Sequence, residues 1–185
     1  MALTRAVLLV TAIILITGCA KSEGRREPPA ERQKVTVTRV VDGDTVEVNP
    51  AVFGSENVRL IGVDAPETAG SPRGQQPYGE RAARFVDNVL EGEQVTLEFD
   101  EEKTDDYGRT LAYLYSPDGK MFNRTLLARG YAQVATFPPN VSYIDRFERT
   151  QRTARSKDRG LWGLPNRRLC RLTDRGNGVG GSCKK

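Results

Sequence analysis

The 185-residue chain contains no histidine, only three cysteines, two methionines and a single tryptophan. Without histidine there can be no Ser-His-Asp hydrolysis, no pair of imidazoles acting as acid and base, and no His-ligated catalytic metal. A zinc site is not expected either, because neither Cys170 nor Cys183 has a neighbouring histidine or a second cysteine at metal spacing. Long apolar runs are also scarce. The one example, Ala6 to Thr17 after Arg5, is too short to span a bilayer comfortably and reads as the core of an export leader.

The end of that run, Ile16-Thr17-Gly18-Cys19, is similar to the bacterial lipobox, so residues 1–18 are expected to be a lipoprotein signal peptide and Cys19 the lipidated residue. Ala20 follows it rather than an acid, which by the same resemblance points to the outer membrane in a two-membrane envelope. The protein is then exported, held to the membrane by its lipid, and expected to be monomeric. In an oxidising compartment Cys170 and Cys183 remain as a candidate disulfide.

Residues 19–34 mix charges with prolines and hold almost no apolar side chain, the composition of a tether. A single domain is expected over 35–165, followed by a basic, glycine-rich tail at 166–185. Charge divides the same way. Residues 35–144 carry 10 basic and 17 acidic side chains, a net −7, whereas 145–185 carry 12 basic and 4 acidic, a net +8. Such a tail favours a polyanionic partner, while the acidic body needs local cations to hold one. A basic tail would equally suit solubility or an anionic membrane surface.

Within the domain, Val35–Val41 and Thr45–Val48 flank Asp42-Gly43-Asp44 and predict a hairpin. A third apolar run covers Val58–Val63. Residues 68–79 lack periodicity and predict a functional loop. A helix is expected over about 80–90, strands over 94–99 and 111–115, a short helix from Asn123 as its cap to Arg129, and a last helix over about 142–157. Trp162 is expected to pack on the core. Five strands with helices after the third and fifth predict an α+β fold, a five-stranded Greek-key β-barrel of the OB type with about three helices.

Acids and arginines gather at the ends of these elements. Asp44 and Asp64 each stand at a strand-turn junction and are the candidate metal ligands. An all-oxygen set takes a hard cation, calcium first, with magnesium or manganese next. Glu67, fixed by Pro66, suits a general base. Arg59 and Arg109 are forked donors for a phosphate, and Tyr107 and Tyr78 are candidates to pack on sugar or base. Together these residues describe a site for phosphodiester cleavage, although each short motif alone would also suit an ordinary turn.

The blocks Val41-Asp42-Gly43-Asp44-Thr45, Arg59 to Glu67, Thr104 to Arg109 with Leu111-Ala112-Tyr113, and Gly119-Lys120-Met121 with Asn123 resemble the staphylococcal nuclease family in the same order, from about Val35 to Trp162. That resemblance implies an OB-fold enzyme using calcium to cleave DNA and RNA to 3′-phosphate ends. It also implies the backbone carbonyl of Ala65 as a further metal ligand beside Asp44 and Asp64. The competing expectation is a silent OB-fold module, or an envelope adaptor, that binds nucleic acid or another partner without cutting it.

Overall fold

The structure is a computed structural model that describes residues 31–169 together with Leu172. The expected export leader (residues 1–18), Cys19, Cys170 and Cys183 lie outside the described residues. Among those that are described, no helix is long and apolar enough to cross a membrane.

Five strands close into a barrel in the order β1 (Arg32–Val40), β2 (Thr45–Val52), β3 (Ser55–Leu60), β6 (Thr110–Tyr115), β5 (Gln94–Glu98), with β5 returning to β1. Every barrel pairing is antiparallel except β3 with β6, which is parallel. This is the expected OB-type, α+β arrangement. Alternation drives it: Val35, Val37, Val46, Val48, Val58, Leu60, Val95, Leu97, Ala112 and Leu114 are all buried, and each such aliphatic side chain contributes about 1.5–3 kcal/mol when taken from water.

Some boundaries differ from those the patterning predicts. The first strand begins at Arg32, inside the expected tether, because Arg32 to Thr36 pair with β5 and the Arg32 guanidinium bonds buried Glu98. The third apolar run breaks in two at Gly62, whose φ of 76° is costly for any residue with a side chain. Beyond that turn, β4 (Val63–Asp64) pairs with β7 (Gln133–Val134) in a small second sheet.

The helices α1 (Gly79–Leu90), α2 (Phe122–Arg129) and α3 (Ile144–Arg155) fall close to the positions expected of them. Asn123, however, does not cap α2. It lies inside the helix and is fully buried. Its Oδ1 accepts from the Leu114 N–H at 2.9 Å and its Nδ2 donates to the Ile61 carbonyl at 2.8 Å, tying α2 to β6 and to the turn after β3. Trp162 belongs to a 3-10 turn (Gly160–Gly163) and packs with Ala154, Leu161 and Leu172 in a small cluster separate from the barrel core. Leu172 and the short helix α4 (Asn166–Leu169) continue that ordered structure into the expected tail.

Candidate active site

The site begins with the β1–β2 turn. Val41 and Asp42 donate their backbone N–H groups to the Thr45 carbonyl, and Asp42 Oδ1 accepts from the Asp44 N–H at 2.9 Å. This side-chain turn presents Asp44 inward, where only 6 % of the residue is exposed. Gly43 is required by its neighbours: a Cβ there would meet the Cβ of Ala65 at 2.5 Å and that of Ala82 at 2.9 Å. The turn is thereby pressed against both the chain after β4 and α1.

Arg59 lies opposite Thr45 across the β2–β3 ladder, which carries its guanidinium to Asp44. Nη1 stands 2.9 Å from Asp44 Oδ1 and Nη2 stands 3.5 Å from Asp64 Oδ1. The same Nη1 donates to the Val63 carbonyl at 2.9 Å and the Leu60 carbonyl at 3.2 Å. Asp44 Oδ2 in turn accepts from the Ala65 N–H at 2.6 Å. Asp64 is held from beneath, since Gln133 Nε2 donates to its Oδ2 at 3.1 Å, and β7 is fastened by the Val134 N–H bonding Gln151 Oε1 of α3 at 2.7 Å.

Negative charge is in excess here. Burial, followed by the charge of Asp44, pushes the Asp64 carboxyl up to about 6. The same two causes push Asp42 up to about 7. Carboxyl groups with raised values in a cleft are what a cation-binding site displays when its counter-charge is incomplete.

Arg109 approaches from the other side, on the turn before β6. Its Nε donates to Asp105 Oδ2 at 2.8 Å, while the Arg109 and Tyr107 backbone N–H groups both reach Asp105 Oδ1. Burial opposes the shift, but hydrogen bonds from the backbone and side chain of Arg109 hold the Asp105 carboxyl below its usual range. Glu67 follows Pro66, with its backbone exchanging hydrogen bonds with Gln76; its Oε1 accepts from Arg73 Nη1 at 3.0 Å.

One cleft of about 790 Å³ is lined by Asp42, Asp44, Arg59, Asp64, Ala65, Glu67, Arg73, Tyr107 and Arg109. Every acid and arginine singled out from the sequence is therefore brought together, as is Tyr107, a residue 83 % exposed whose ring centroid lies 5.4 Å from the Arg109 guanidinium carbon. Tyr78 is not. It precedes α1, packs on Tyr131 with ring centroids 5.6 Å apart, and borders a different groove with Arg81, Arg84 and Arg168.

Against known proteins, residues 57–163 match the family model described as staphylococcal nuclease homologue. The chain belongs to that family. It is 38 % identical over 167 residues to the thermonuclease of Staphylococcus hyicus, covering 86 % of this chain and 96 % of that protein. The thermonuclease of Staphylococcus intermedius is 36 % identical over 159 residues, with 84 % and 94 % covered. The SPbeta prophage-derived endonuclease YokF of Bacillus subtilis is 40 % identical over 146 residues, which is 77 % of this chain but 47 % of YokF.

Four residues in the cleft or bonded to its side chains are not among the candidates that the sequence offers. Asp42 was visible in Asp-Gly-Asp but looks like a turn former, and Asp105 stands four residues before Arg109, a spacing that could have flagged it. Gln133 carries no signal, being joined to Asp64 only by the fold, while Arg73 stands out in the sequence solely as the one charge of the 68–79 loop.

The donor set suits a hard divalent cation. It is all oxygen, its two buried carboxylates share one guanidinium, and burial together with the charge of Asp44 raises the Asp64 carboxyl. Among the described residues no group of three or more His, Cys, Asp or Glu side chains is placed to hold a metal ion.

Proposed function

We propose that the protein is a calcium-dependent nuclease that hydrolyses phosphodiester bonds of DNA and RNA, leaves 3′-phosphate ends, and acts outside the cytoplasm from a lipid anchor at Cys19. The observation that carries this reading is the meeting of Asp44, Arg59, Asp64, Glu67 and Arg109 in one cleft of a staphylococcal nuclease domain. The names of the relatives, thermonucleases and endonucleases, support it.

Asp44 and Asp64, with the Ala65 carbonyl, would hold the cation. When bound, it supplies charge neutralisation for the phosphate oxygens and a polarised water. Arg59, already desolvated and fixed by backbone carbonyls, presents a pre-oriented donor to a phosphate entering beside it, and such pre-organised donors act most strongly where charge develops. Arg109 closes on the same phosphate from its turn. Glu67 takes a proton from the attacking water as that water's oxygen bonds phosphorus. The bond from phosphorus to the 5′-oxygen breaks, that oxygen takes a proton from solvent, and the phosphate stays on the 3′ side. Tyr107 offers a ring for a sugar or base to rest on.

The deciding experiment incubates the protein with single-stranded DNA and with RNA, in calcium and in excess chelator, and identifies the new ends. Cleavage in calcium to 3′-phosphates, abolished by chelator, is the expected result. Binding that persists in chelator without any cleavage overturns it in favour of a silent binding module.

A further inference from the structure

Four arginines line the cleft; Arg39 is paired with Glu47, and the other three differ in how firmly they are engaged. The Arg59 side chain is 10 % exposed and divided between two carboxylates. Arg109, 32 % exposed, gives both Nε and Nη2 to Asp105. Arg73 is 52 % exposed and gives a single Nη1 to Glu67, which is itself 17 % exposed. An exposed pair of this kind is weak and readily exchanged.

Arg73 is well placed to exchange it. Its backbone is ordered by turns, with the Arg73 N–H on Ser71 Oγ and the Gly74 N–H on the Ser71 carbonyl, so only its side chain has to move. Beyond the main cleft lies an adjoining hollow of about 400 Å³ that includes Asp105, Asp106, Tyr107, Phe137 and Asn140. Arg73 lines both. The acids of that hollow repel a phosphate, and of the arginines bordering it Arg73 is the one held by a single exposed contact.

We propose that Arg73 is a specificity-determining residue that makes cleavage depend on a second phosphate. With the cleft empty, its guanidinium occupies Oε1 of Glu67. When a polynucleotide places the phosphodiester next to the scissile one in the adjoining hollow, the forked group moves to that phosphate, where two oxygens match its geometry. Glu67 Oε1 is then open to the attacking water. A substrate with one phosphodiester cannot make the exchange and is cut poorly. This inference rests on Glu67 acting as the base.

The test compares the wild-type protein, R73Q and R73K on a dinucleotide with one phosphodiester and on a tetranucleotide, by steady-state kinetics in calcium. R73Q is expected to lower the ratio of kcat/KM between tetranucleotide and dinucleotide by about tenfold, the scale of one lost charge-assisted contact. The loss should appear as a higher KM on the tetranucleotide, with kcat on the dinucleotide raised because Glu67 Oε1 is no longer occupied, and R73K should recover part of the ratio. An unchanged ratio, or equal losses on both substrates, overturns the proposal. A wild-type protein that cuts neither substrate overturns the nuclease reading and this inference with it, whereas normal cleavage with an unmoved ratio defeats this inference alone.

Discussion

Arg59 and Arg109 aim the same chemical group at the same cleft from regions built in different ways. Arg59 rises from a barrel strand, 10 % exposed, with partners at Asp44, Leu60, Val63 and Asp64. Arg109 sits 32 % exposed on a turn whose carboxylate partner is four residues away. The barrel side is assembled by long-range contacts and cannot shift without disturbing the core. The turn side assembles itself locally and can tolerate adjustment. Rigid placement of a phosphate-facing donor is what catalysis demands, because a pre-oriented group loses nothing to reorganisation during the reaction.

If that contrast holds, Arg59→Lys should be the most damaging conservative change, lowering turnover by about 10³-fold and also lowering the thermal midpoint, because two buried carboxylates lose their bridging fork. Arg109→Lys should cost less and leave the midpoint unmoved. Parallel kinetics and melts check the pair, and equal damage in both would erase the distinction. Next in size, Glu67→Gln should reduce turnover by about 10²-fold while calcium and nucleotide still bind, as calorimetry would show. An unreduced rate removes Glu67 from the chemistry.

A third prediction concerns acids on the barrel side. Asp64 and Asp42 hold protons up to about 6 and about 7 in the folded protein, against an unfolded value of roughly 3.9. The folded state therefore binds more protons than the unfolded state across that window, and its stability should fall as pH rises from about 4 to 7. A tenfold difference in proton affinity between the two states is worth about 1.4 kcal/mol at most. Urea unfolding in chelator at pH 5 and pH 7.5 measures the decline, and Asp42→Asn should flatten it. A stability that rises over this range would mean the acids are not in mutual repulsion. The smallest effect belongs to the turn side: Tyr107→Ala should raise KM a few-fold with kcat intact and change stability by less than about 0.5 kcal/mol, given a residue 83 % exposed.

The sequence reading succeeded where a signal is confined to neighbouring residues. The hairpin around Asp42-Gly43-Asp44, the helix ending at Leu90 and the five barrel strands along the chain are all visible as alternation and turn chemistry. It failed where one residue can serve two purposes. Asn123 precedes a helical run, as a cap should, yet its side chain is used across the core to join Leu114 and Ile61. Tyr78 lies near the acids in sequence, but its ring is taken by Tyr131. Trp162 is buried as expected, though in a cluster of its own.

What the sequence determined by itself is the periodic skeleton, the family, and the identities of the acids and arginines at strand ends, because each depends on a few consecutive side chains and the backbone preferences they carry. Only the tertiary structure decided which of those groups meet. Gln133 reaches Asp64 across 69 residues and Arg59 reaches Asp44 across 15, through ladder register and the closing of the barrel. Such contacts leave no pattern along the chain, since what brings them together is the burial of other residues.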